Sequence, residues 1–363
     1  MRVALIDGAV NMDFLQEMKN PNVRVAGVYA VCNGKVTVEQ QNVHEITHAS
    51  VCTGIFLREI HCPCELLLIR VLDADSLRGN IHALVAALDF CIGSRINVIN
   101  LSLGTSRIRD AELLQDKVNE LTRHHIIIVA AESNRNQLTF PAAFEHVIGV
   151  RELTRANRRT PSDSILYRSK KRCFSYQGKS VMTGGYNSYA APAVTAKVCG
   201  CLAGGITEAE HIKRELLTQR NIKKSRKRKS GRLDKPVVCL NMWDEKKAAG
   251  EVKKILHFFA VHGYEGACIS DTLQTDYAGG TLNIWQFQRI LRRANDRFWM
   301  LTNTVDADFV IWHAARVDFD KRNRRNMDMI VTDSEGYGRM SKAGRLTGPL
   351  DGEKLKEMLK SLT

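Results

Sequence analysis

The sequence predicts an α/β fold in which a parallel sheet carries helices on both faces, followed by a smaller C-terminal α/β domain. Apolar runs rich in Val, Ile and Leu alternate with helical patterns along about the first 215 residues, and such runs are typical of strands buried on both faces. The same alternation starts again at Pro236, after a strongly basic stretch. We therefore expect a first domain at 1–218, a linker at 219–235 and a second domain at 236–363.

The individual elements are expected in the following places. Strands of the first domain are expected at Val3–Ile6, Val25–Val31, Glu65–Val71, Val98–Leu103, Ile126–Ala131 and Val147–Val150. Its helices are expected at 49–59, 80–92, 111–124, 188–199 and 209–217. The second domain is expected to hold strands at 237–240, 266–270, 308–312 and 327–331, and helices at 245–262, 285–295 and 352–362. This alternation favours crossover connections between parallel strands.

Length and composition narrow the class of protein. The 363 residues are enough for two domains, and 44% hydrophobic and 25% charged residues are ordinary for a globular protein. There is no apolar run of about 18 residues and no signal-peptide pattern at the start. The ten cysteines do not suggest a disulfide framework in a chain of this length. We therefore expect a cytoplasmic protein with free thiols, no metal site, no cofactor and no membrane partner.

The net charge of +14 is unevenly placed. Residues 219–235 contain nine Lys or Arg and one Asp, and such dense like charge favours a solvated tether. An exposed basic loop is also a target for proteolytic nicking, including by the protein itself. Interleaved aromatic residues are missing from the segment, which disfavours nucleic acid as its partner.

Ser188 is the first candidate for chemistry. It follows the turn Thr183-Gly184-Gly185 and precedes a run of small residues that has a helical pattern. A helix N-terminus presents N–H groups and favours negative charge, so a nucleophile placed there lies beside donors for an oxyanion. Serine at this position is also a common N-cap, and Ser188 alone does not distinguish the two roles.

Two further candidates lie upstream. Asp7 ends the first strand, and the carboxyl ends of parallel strands are where open α/β sheets place their sites. His48 begins a helix with small residues on its next turn, where an imidazole can accept a proton. Each has an ordinary alternative, because Asp7 could cap a turn and His48 could be a partly buried core histidine.

The strand that ends in Ser102-Leu103-Gly104 and the residue Asn134 complete the set of candidates. A strand edge can bind an extended peptide by backbone hydrogen bonds, and the glycine would leave room for a side chain. Asn134 follows the next strand, where its amide could donate to a developing oxyanion. The alternatives are a core strand that runs into a glycine turn, and a turn asparagine.

Taken together, these segments resemble the subtilisin-like serine protease family over about residues 1 to 215. The matching segments, in the order of the family, are Val3–Gly8, His48–Ile55, Val98–Gly104, Asn134, Phe140–Ala142 and Ser188–Pro192. The order Asp, His, Ser is also that of the family. The flanking residues depart from it, because Ser133 stands where the family has Gly, and Tyr186-Asn187 stand where it has Gly-Thr.

The resemblance implies a role for each matching residue. Ser188 would attack a peptide carbonyl, His48 would accept and return the proton, and Asp7 would orient His48. The Asn134 amide and the Ser188 N–H would hold the oxyanion, and Ser102, Leu103 and Gly104 would bind substrate. Four polar catalytic positions are retained while their neighbours drift, which favours an active enzyme with an unusual substrate preference. The large Tyr186 could narrow the cleft.

The expected function is a serine endopeptidase that removes the leader from a ribosomally made precursor peptide, with an acidic leader suited to this basic protein. The second domain, faintly similar to accessory domains of bacterial peptide-maturation systems, would recognise the substrate. Two alternatives stay open: a catalytically silent peptide-binding module with a subtilisin fold, and a general cytoplasmic protease. The sequence indicates no oligomeric state.

Overall fold

The computed structural model describes residues 1–40, 43–73, 79–155, 157, 162–224, 233, 235–287, 291–316, 319, 327–332, 344–347 and 350–362. Packing divides the chain into two units. The first unit comprises Met1–Thr105 and Leu113–Arg226, and the second comprises Ser106–Glu112 and Lys227–Thr363. Within the described part of the chain, helices that combine the length and the apolar character needed to cross a membrane are absent.

A nine-stranded sheet forms the centre of the first unit. Its strands and those of a small hairpin are β1 Arg2–Asp7, β2 Val23–Cys32, β3 Lys35–Val38, β4 Cys64–Arg70, β5 Val98–Leu101, β6 Ile127–Ala131, β7 Val147–Glu152, β8 Ile165–Tyr167, β9 Cys173–Tyr176, β10 Lys179–Met182 and β11 Ile222–Lys224. The sheet order is β11-β8-β7-β6-β5-β1-β4-β2-β3, and β9 and β10 pair separately as the hairpin. All neighbours in the large sheet run parallel except the two edge strands, β3 and β11.

Helices cover this sheet and supply half of the core. They are α1 Met12–Glu17, α2 His48–Glu59, α3 Ile81–Gly93, α4 Ala111–Arg123, α5 Asn187–Ala203 and α6 Ala209–Thr218. Helix α5 packs on β5, β6 and β7 and also against α2. Its inward residues include Ala190, Ala191 and Ala193, which are buried, and such short side chains let the helix approach the sheet closely. The predicted class of fold is confirmed.

The structure also corrects one part of the predicted linker. Residues 222–224 form β11, which pairs antiparallel with β8, and Ile222 is fully buried. Burial of the Ile222 side chain in the core favours this pairing despite the surrounding charge. Most of the remaining basic stretch, 225–232 and 234, lies outside the described residues.

The second unit contains a six-stranded parallel sheet. Its strands are β12 Val237–Asn241, β13 Gly266–Ser270, β14 Thr281–Asn283, β15 Phe309–His313, β16 Met329–Thr332 and β17 Gly344–Thr347, in the order β14-β13-β15-β12-β16-β17. The described helices are α7 Glu245–Val261, α8 Ala294–Thr304 and α9 Gly352–Leu362. The prediction of a helix at 285–295 is wrong, because α8 begins only at Ala294. Asn283 Oδ1 accepts from Trp285 N at 2.9 Å and turns the chain there.

His313 is a buried histidine with a defined tautomer at the end of β15. Ser270 Oγ accepts from the N–H groups of Thr272 and Leu273 at 3.2 and 2.9 Å, so its own proton points to His313 Nδ1 at 2.8 Å. The other ring nitrogen, Nε2, then carries the proton and donates to Met242 O at 3.1 Å. Burial lowers the pKa of His313 below its ordinary value, so the folded state holds it neutral.

We expect the second unit to lose stability as the pH falls below about 6.5, the ordinary pKa of histidine. The unfolded chain then binds a proton that folded His313 rejects, so stability is present above this pH and is lost as the pH falls towards the lower folded pKa. Each unit of difference amounts to about 1.4 kcal/mol. All four tryptophans lie in the second unit, so urea unfolding followed by tryptophan fluorescence measures this unit.

The control for this expectation is His313→Gln, which cannot be protonated. We expect the variant to be less stable at pH 7.5 but to lose less stability between pH 7.5 and 5.5 than the wild type. Equal losses in the two proteins would contradict the assignment of the pH dependence to His313.

Candidate active site

Three neighbouring strands bring the candidate residues to one edge of the first sheet. Strands β1, β5 and β6 are adjacent and parallel, so their carboxyl ends meet at the same edge. Asp7 is the last residue of β1, Ser102 follows β5, and Asn134 lies three residues beyond the end of β6. Helices α2 and α5, which carry His48 and Ser188 in their first turns, pack against each other.

The side chains of Asp7, His48 and Ser188 form one chain of hydrogen bonds. The two carboxylate oxygens of Asp7 lie 3.1 and 3.0 Å from His48 Nδ1, and His48 Nε2 lies 3.0 Å from Ser188 Oγ. Asp7 is only 4% exposed, and its Oδ1 also accepts from the N–H of Gly8 at 2.8 Å. In this arrangement a carboxylate fixes the imidazole tautomer that can take a proton from a serine hydroxyl.

Residues at the start of α2 hold His48 beside Asp7. Thr47 is the N-cap of α2, where its hydroxyl accepts from Ser50 N at 3.0 Å and donates to Ala9 O at 2.6 Å. Ser50 Oγ accepts from Asn11 N at 2.9 Å. These bonds tie the helix that carries His48 to the segment that follows β1. Sequence reasoning missed them, although Thr47-x-x-Ser50 before a helical run is a recognisable N-cap pattern.

Backbone geometry at the start of α5 exposes Ser188. Gly184 and Gly185 have φ values of +122° and +82°, which favour glycine because it has no Cβ. Tyr186 is the N-cap of α5 in an extended conformation and makes no side-chain cap bond. The N–H groups of the first turn therefore point out of the helix end, next to the Ser188 hydroxyl.

The Cys52 thiol binds the backbone carbonyl of Ser188, which lacks its usual hydrogen-bond donor within α5. Pro192 lies four residues after Ser188 and has no N–H, so the Ser188 carbonyl loses its usual helical donor. The Cys52 thiol donates to that carbonyl over 3.6 Å and lies 3.8 Å from both ring nitrogens of His48. Burial raises the pKa of Cys52, which keeps the thiol protonated and able to donate.

The electrostatics of the site favour the charged form of His48. Burial of the imidazole lowers the pKa of His48, whereas its interactions with the Cys52 side chain and with the Asp7 carboxylate raise it, and the net shift is upward. Since the buried Cys52 thiol stays protonated, Asp7 is the negative charge present at neutral pH. A carboxylate in this position stabilises the imidazolium that forms when a serine loses its proton.

Two tyrosines extend the site beside His48. The ring of Tyr189 stacks on His48 with centroids 5.4 Å apart and planes inclined by 23°, and Tyr186 meets Tyr189 edge-on at 5.8 Å. Tyr186 is 54% exposed. The hydrogen bond between His48 and Ser188 is made with Tyr186 in this place, so its ring is compatible with an assembled site.

Asn134 is joined to the start of α5 through its side chain. Its Oδ1 accepts from the N–H of Asn187 at 2.7 Å, which leaves Nδ2 as the donor end of the amide. Asn134 is exposed. Sequence reasoning treated Asn187 only as a departure from the family pattern, whereas the structure places it at the centre of the bonds that join these segments.

The residues Ser102, Leu103 and Gly104 lie beyond β5 with different surroundings. Ser102 is buried and its hydroxyl accepts from Asn100 Nδ2 at 3.1 Å, while Leu103 is half-buried and Gly104 is exposed. A Cβ on Gly104 would lie 2.7 Å from the carbonyl oxygen of Phe140. The glycine is therefore needed for the close approach of two backbone segments, whatever its relation to substrate.

Asp7, His48 and Cys52 are also a possible set of metal ligands. One ligand atom from each lies within 4.8 Å of the others, and the described residues contain no other group of this kind. The protonated Cys52 thiol is a poor ligand compared with a thiolate, and His48 is held between Asp7 and Ser188. The donor set does not fit a resident metal ion.

Comparison with known proteins identifies the class of this chain. Residues 20–230 match the model of the Peptidase_S8 subtilase family, which is more than half of the chain. The chain belongs to the subtilase family. The match includes His48, Asn134 and Ser188, whereas Asp7 lies before its first residue.

Individual relatives are distant. The minor extracellular protease Epr of Bacillus subtilis (strain 168) is 23% identical over 165 residues, which are 44% of this chain and 24% of that protein; the match thus spans about a quarter of the relative. Among solved structures, the prenylagaramide maturation protease PagA gives 17% identity and a TM-score of 0.44, covering 60% of this chain and 82% of that one. A lanthipeptide protease gives 17% identity and a TM-score of 0.45, covering 60% of this chain and 79% of that one.

Proposed function

We propose that this enzyme cleaves peptide bonds with Ser188 as nucleophile, His48 as general base and Asp7 as the group that orients His48. The observation that carries the proposal is the continuous chain of hydrogen bonds from Asp7 through His48 to Ser188. The Asp7 carboxylate oxygens lie 3.0 and 3.1 Å from His48 Nδ1, and His48 Nε2 lies 3.0 Å from Ser188 Oγ. Ser188 Oγ attacks the carbonyl carbon while its proton passes to His48 Nε2. The same proton then goes to the leaving amine.

The oxyanion that forms in this attack is held by the N–H of Ser188 and by Asn134 Nδ2. The hydrogen bond from Asn187 N to Asn134 Oδ1 directs the other end of that amide away from the helix. Two donors aimed at the developing charge stabilise the tetrahedral intermediate. Water then releases the acyl group from Ser188 by the reverse sequence of proton transfers.

We further propose that the substrate is a ribosomally made precursor peptide from which a leader is removed. Tyr186 is largely exposed beside the nucleophile and contacts Tyr189, which lies on the His48 ring. Bulky aromatic groups at this place narrow the set of peptides that can reach Ser188. The net charge of +14 suits an acidic leader, since long-range attraction raises the rate of encounter. The second domain would recognise the rest of the precursor.

The test compares a substrate that general proteases digest with a mixture of many different peptide sequences. The full-length enzyme is incubated with unfolded casein and with a mixture of peptides derived from a bacterial proteome, and new amino termini are identified by mass spectrometry. Ser188→Ala serves as the blank. We expect casein to stay largely intact, a small set of related peptides to be cut, and a preference for acidic peptides that weakens as salt is raised.

Other outcomes would change the proposal. Extensive digestion of casein would show a general protease and overturn the processing role while leaving the catalytic residues in place. If neither substrate is cut and a fluorophosphonate probe fails to label Ser188 in the folded protein, the chain is a peptide-binding module and the catalytic proposal is wrong.

A further inference from the structure

We propose that Asn187 is a positioning residue that fixes the side chain of Asn134, one of the two oxyanion donors, in place through one buried amide. The inference rests on the proposed function, in which Asn134 and the Ser188 N–H are those donors. Asn187 Nδ2 donates to Glu132 O and Ser133 O at 3.2 and 2.9 Å, and these two residues directly precede Asn134. Its backbone N–H binds Asn134 Oδ1 at 2.7 Å. Asn187 thus contacts three consecutive residues of the loop that carries Asn134.

The opposite end of the same amide binds the next strand. Asn187 Oδ1 accepts from Glu152 N at 2.9 Å and from Asn157 Nδ2 at 3.1 Å. Asn157 Nδ2 in turn donates to Glu152 O at 2.8 Å. Both donors and both acceptor positions of the Asn187 amide are therefore used, and the residue is only 1% exposed. A threonine hydroxyl, with one donor, cannot replace these four bonds.

This arrangement matters because oxyanion stabilisation depends on donors that are in place before the reaction begins. Asn134 is exposed and lies in a loop, between Ser133 and the left-handed residue Asn136, so little of its own packing fixes it. Asn187 supplies the missing constraint, and it directly precedes Ser188, whose N–H is the second donor. Displacement of such a donor by about 1 Å can cost 10²-fold in rate.

A positioning role and a merely structural role differ in one measurable respect. If Asn187 acts by placing Asn134, its loss should matter only while the Asn134 amide is present. If Asn187 only stabilises the fold, its loss should lower activity by the same factor whether or not Asn134 is present. A double-mutant cycle separates these cases.

The experiment measures release of p-nitrophenolate from p-nitrophenyl acetate by the full-length wild type, Asn134→Ala, Asn187→Ala and the double variant, with Ser188→Ala as the blank. We expect Asn134→Ala to lower kcat/KM by about 10²–10³-fold and Asn187→Ala by about 10–10²-fold. The double variant should be within about twofold of Asn134→Ala. Thermal melting by circular dichroism shows which variants are folded.

Two further variants keep the test decisive. Asn157→Ala removes one of the four amide bonds, and it replaces Asn187→Ala in the cycle if that variant does not fold; we expect a smaller loss that also vanishes without Asn134. Asn20→Ala is the matched control, because Asn20 Nδ2 also binds two carbonyl oxygens, those of Leu57 and Ile60, at the end of α2 remote from His48. It should lower the melting temperature and leave kcat/KM unchanged in both backgrounds.

The outcomes distinguish failure of this inference from failure of the proposed function. Multiplicative losses in the double variant, or a wild-type rate for Asn187→Ala, overturn the positioning role and leave the proposed function intact. A wild-type rate for Asn134→Ala overturns the oxyanion assignment and the positioning role with it. A wild-type rate for Ser188→Ala overturns the proposed nucleophile itself.

Discussion

Replacement of Ser188 by alanine is expected to abolish proteolysis while leaving a folded protein. The hydroxyl is the only group removed, and it lies 3.0 Å from His48 Nε2, so little packing changes. Loss of a triad serine lowers kcat by on the order of 10⁶-fold. The measurement is the rate of peptide cleavage together with covalent labelling by a fluorophosphonate probe, and both should fall to the level of buffer.

The matched control for this prediction is Ser175→Ala. Ser175 is exposed on the β9–β10 hairpin, where its hydroxyl lies 2.7 Å from Ser180 Oγ. This variant should be labelled and should cleave like the wild type. Cleavage by Ser188→Ala at the wild-type rate, with the melting temperature unchanged, would sink the assignment of Ser188 as nucleophile.

Replacement of Asp7 by asparagine is expected to have the second largest effect. The carboxylate holds His48 Nδ1 at 3.0 Å and stabilises the imidazolium. An amide of the same shape can present a donor instead and select the wrong tautomer, which costs about 10⁴-fold in kcat. The measurement is kcat as a function of pH for the wild type and Asp7→Asn.

The dependence of kcat on pH should also differ between the wild type and Asp7→Asn, in a direction that can be stated in advance. Activity requires neutral His48, so the wild type should lose activity on the acid side at a pH above the ordinary histidine pKa, because the pKa of His48 is raised. Asp7→Asn removes the charge that supports the imidazolium, and its acid limb should move to lower pH. An acid limb that stays in place in the variant would show that Asp7 does not set the pKa of His48.

The Asp7–His48 pair should also affect the stability of the fold. Activity is lost as the pH falls, whereas this contribution to stability is lost as the pH rises. Because the folded pKa of His48 is raised, its ion pair with Asp7 stabilises the folded state fully below a pH of about 6.5, and this stabilisation is lost as the pH rises through the folded pKa. The stability difference between the wild type and Asp7→Asn should therefore be greater at pH 6 than at high pH. Thermal melts at several pH values measure this difference.

The fold and the family could be predicted because their signals are local. The strands β1, β5 and β6 are largely apolar, and a polar candidate lies at the end of each strand or within three residues of it. Parallel strands bring such positions to one edge, so Asp7, Ser102 and Asn134 could be expected there. The contexts of His48 and Ser188 at helix starts could be recognised in the same way.

Other features could not be predicted because they depend on partners far away in sequence. The partners of the Asn187 side chain lie 30 to 55 residues before it, and a small-residue helix start gives no sign of them. The role of Cys52 depends on Pro192, which is 140 residues away. The prediction of a helix at 285–295 is wrong because the Asn283 side chain turns the chain at Trp285. Hydrophobic periodicity alone does not reveal such a turn.

The four bonds of the Asn187 amide have a consequence for the evolution of this enzyme. A change at Asn187, or a shift of the backbone at Ser133 or Glu152, leaves a buried donor or acceptor without its partner, so the fitness effect of one substitution depends on the others. Replacement of Asn187 by the threonine that the family has at this position would leave some of these buried groups without a partner, unless neighbouring residues changed as well. Epistasis of this kind can hold a lineage to one combination of residues around the Asn187 amide.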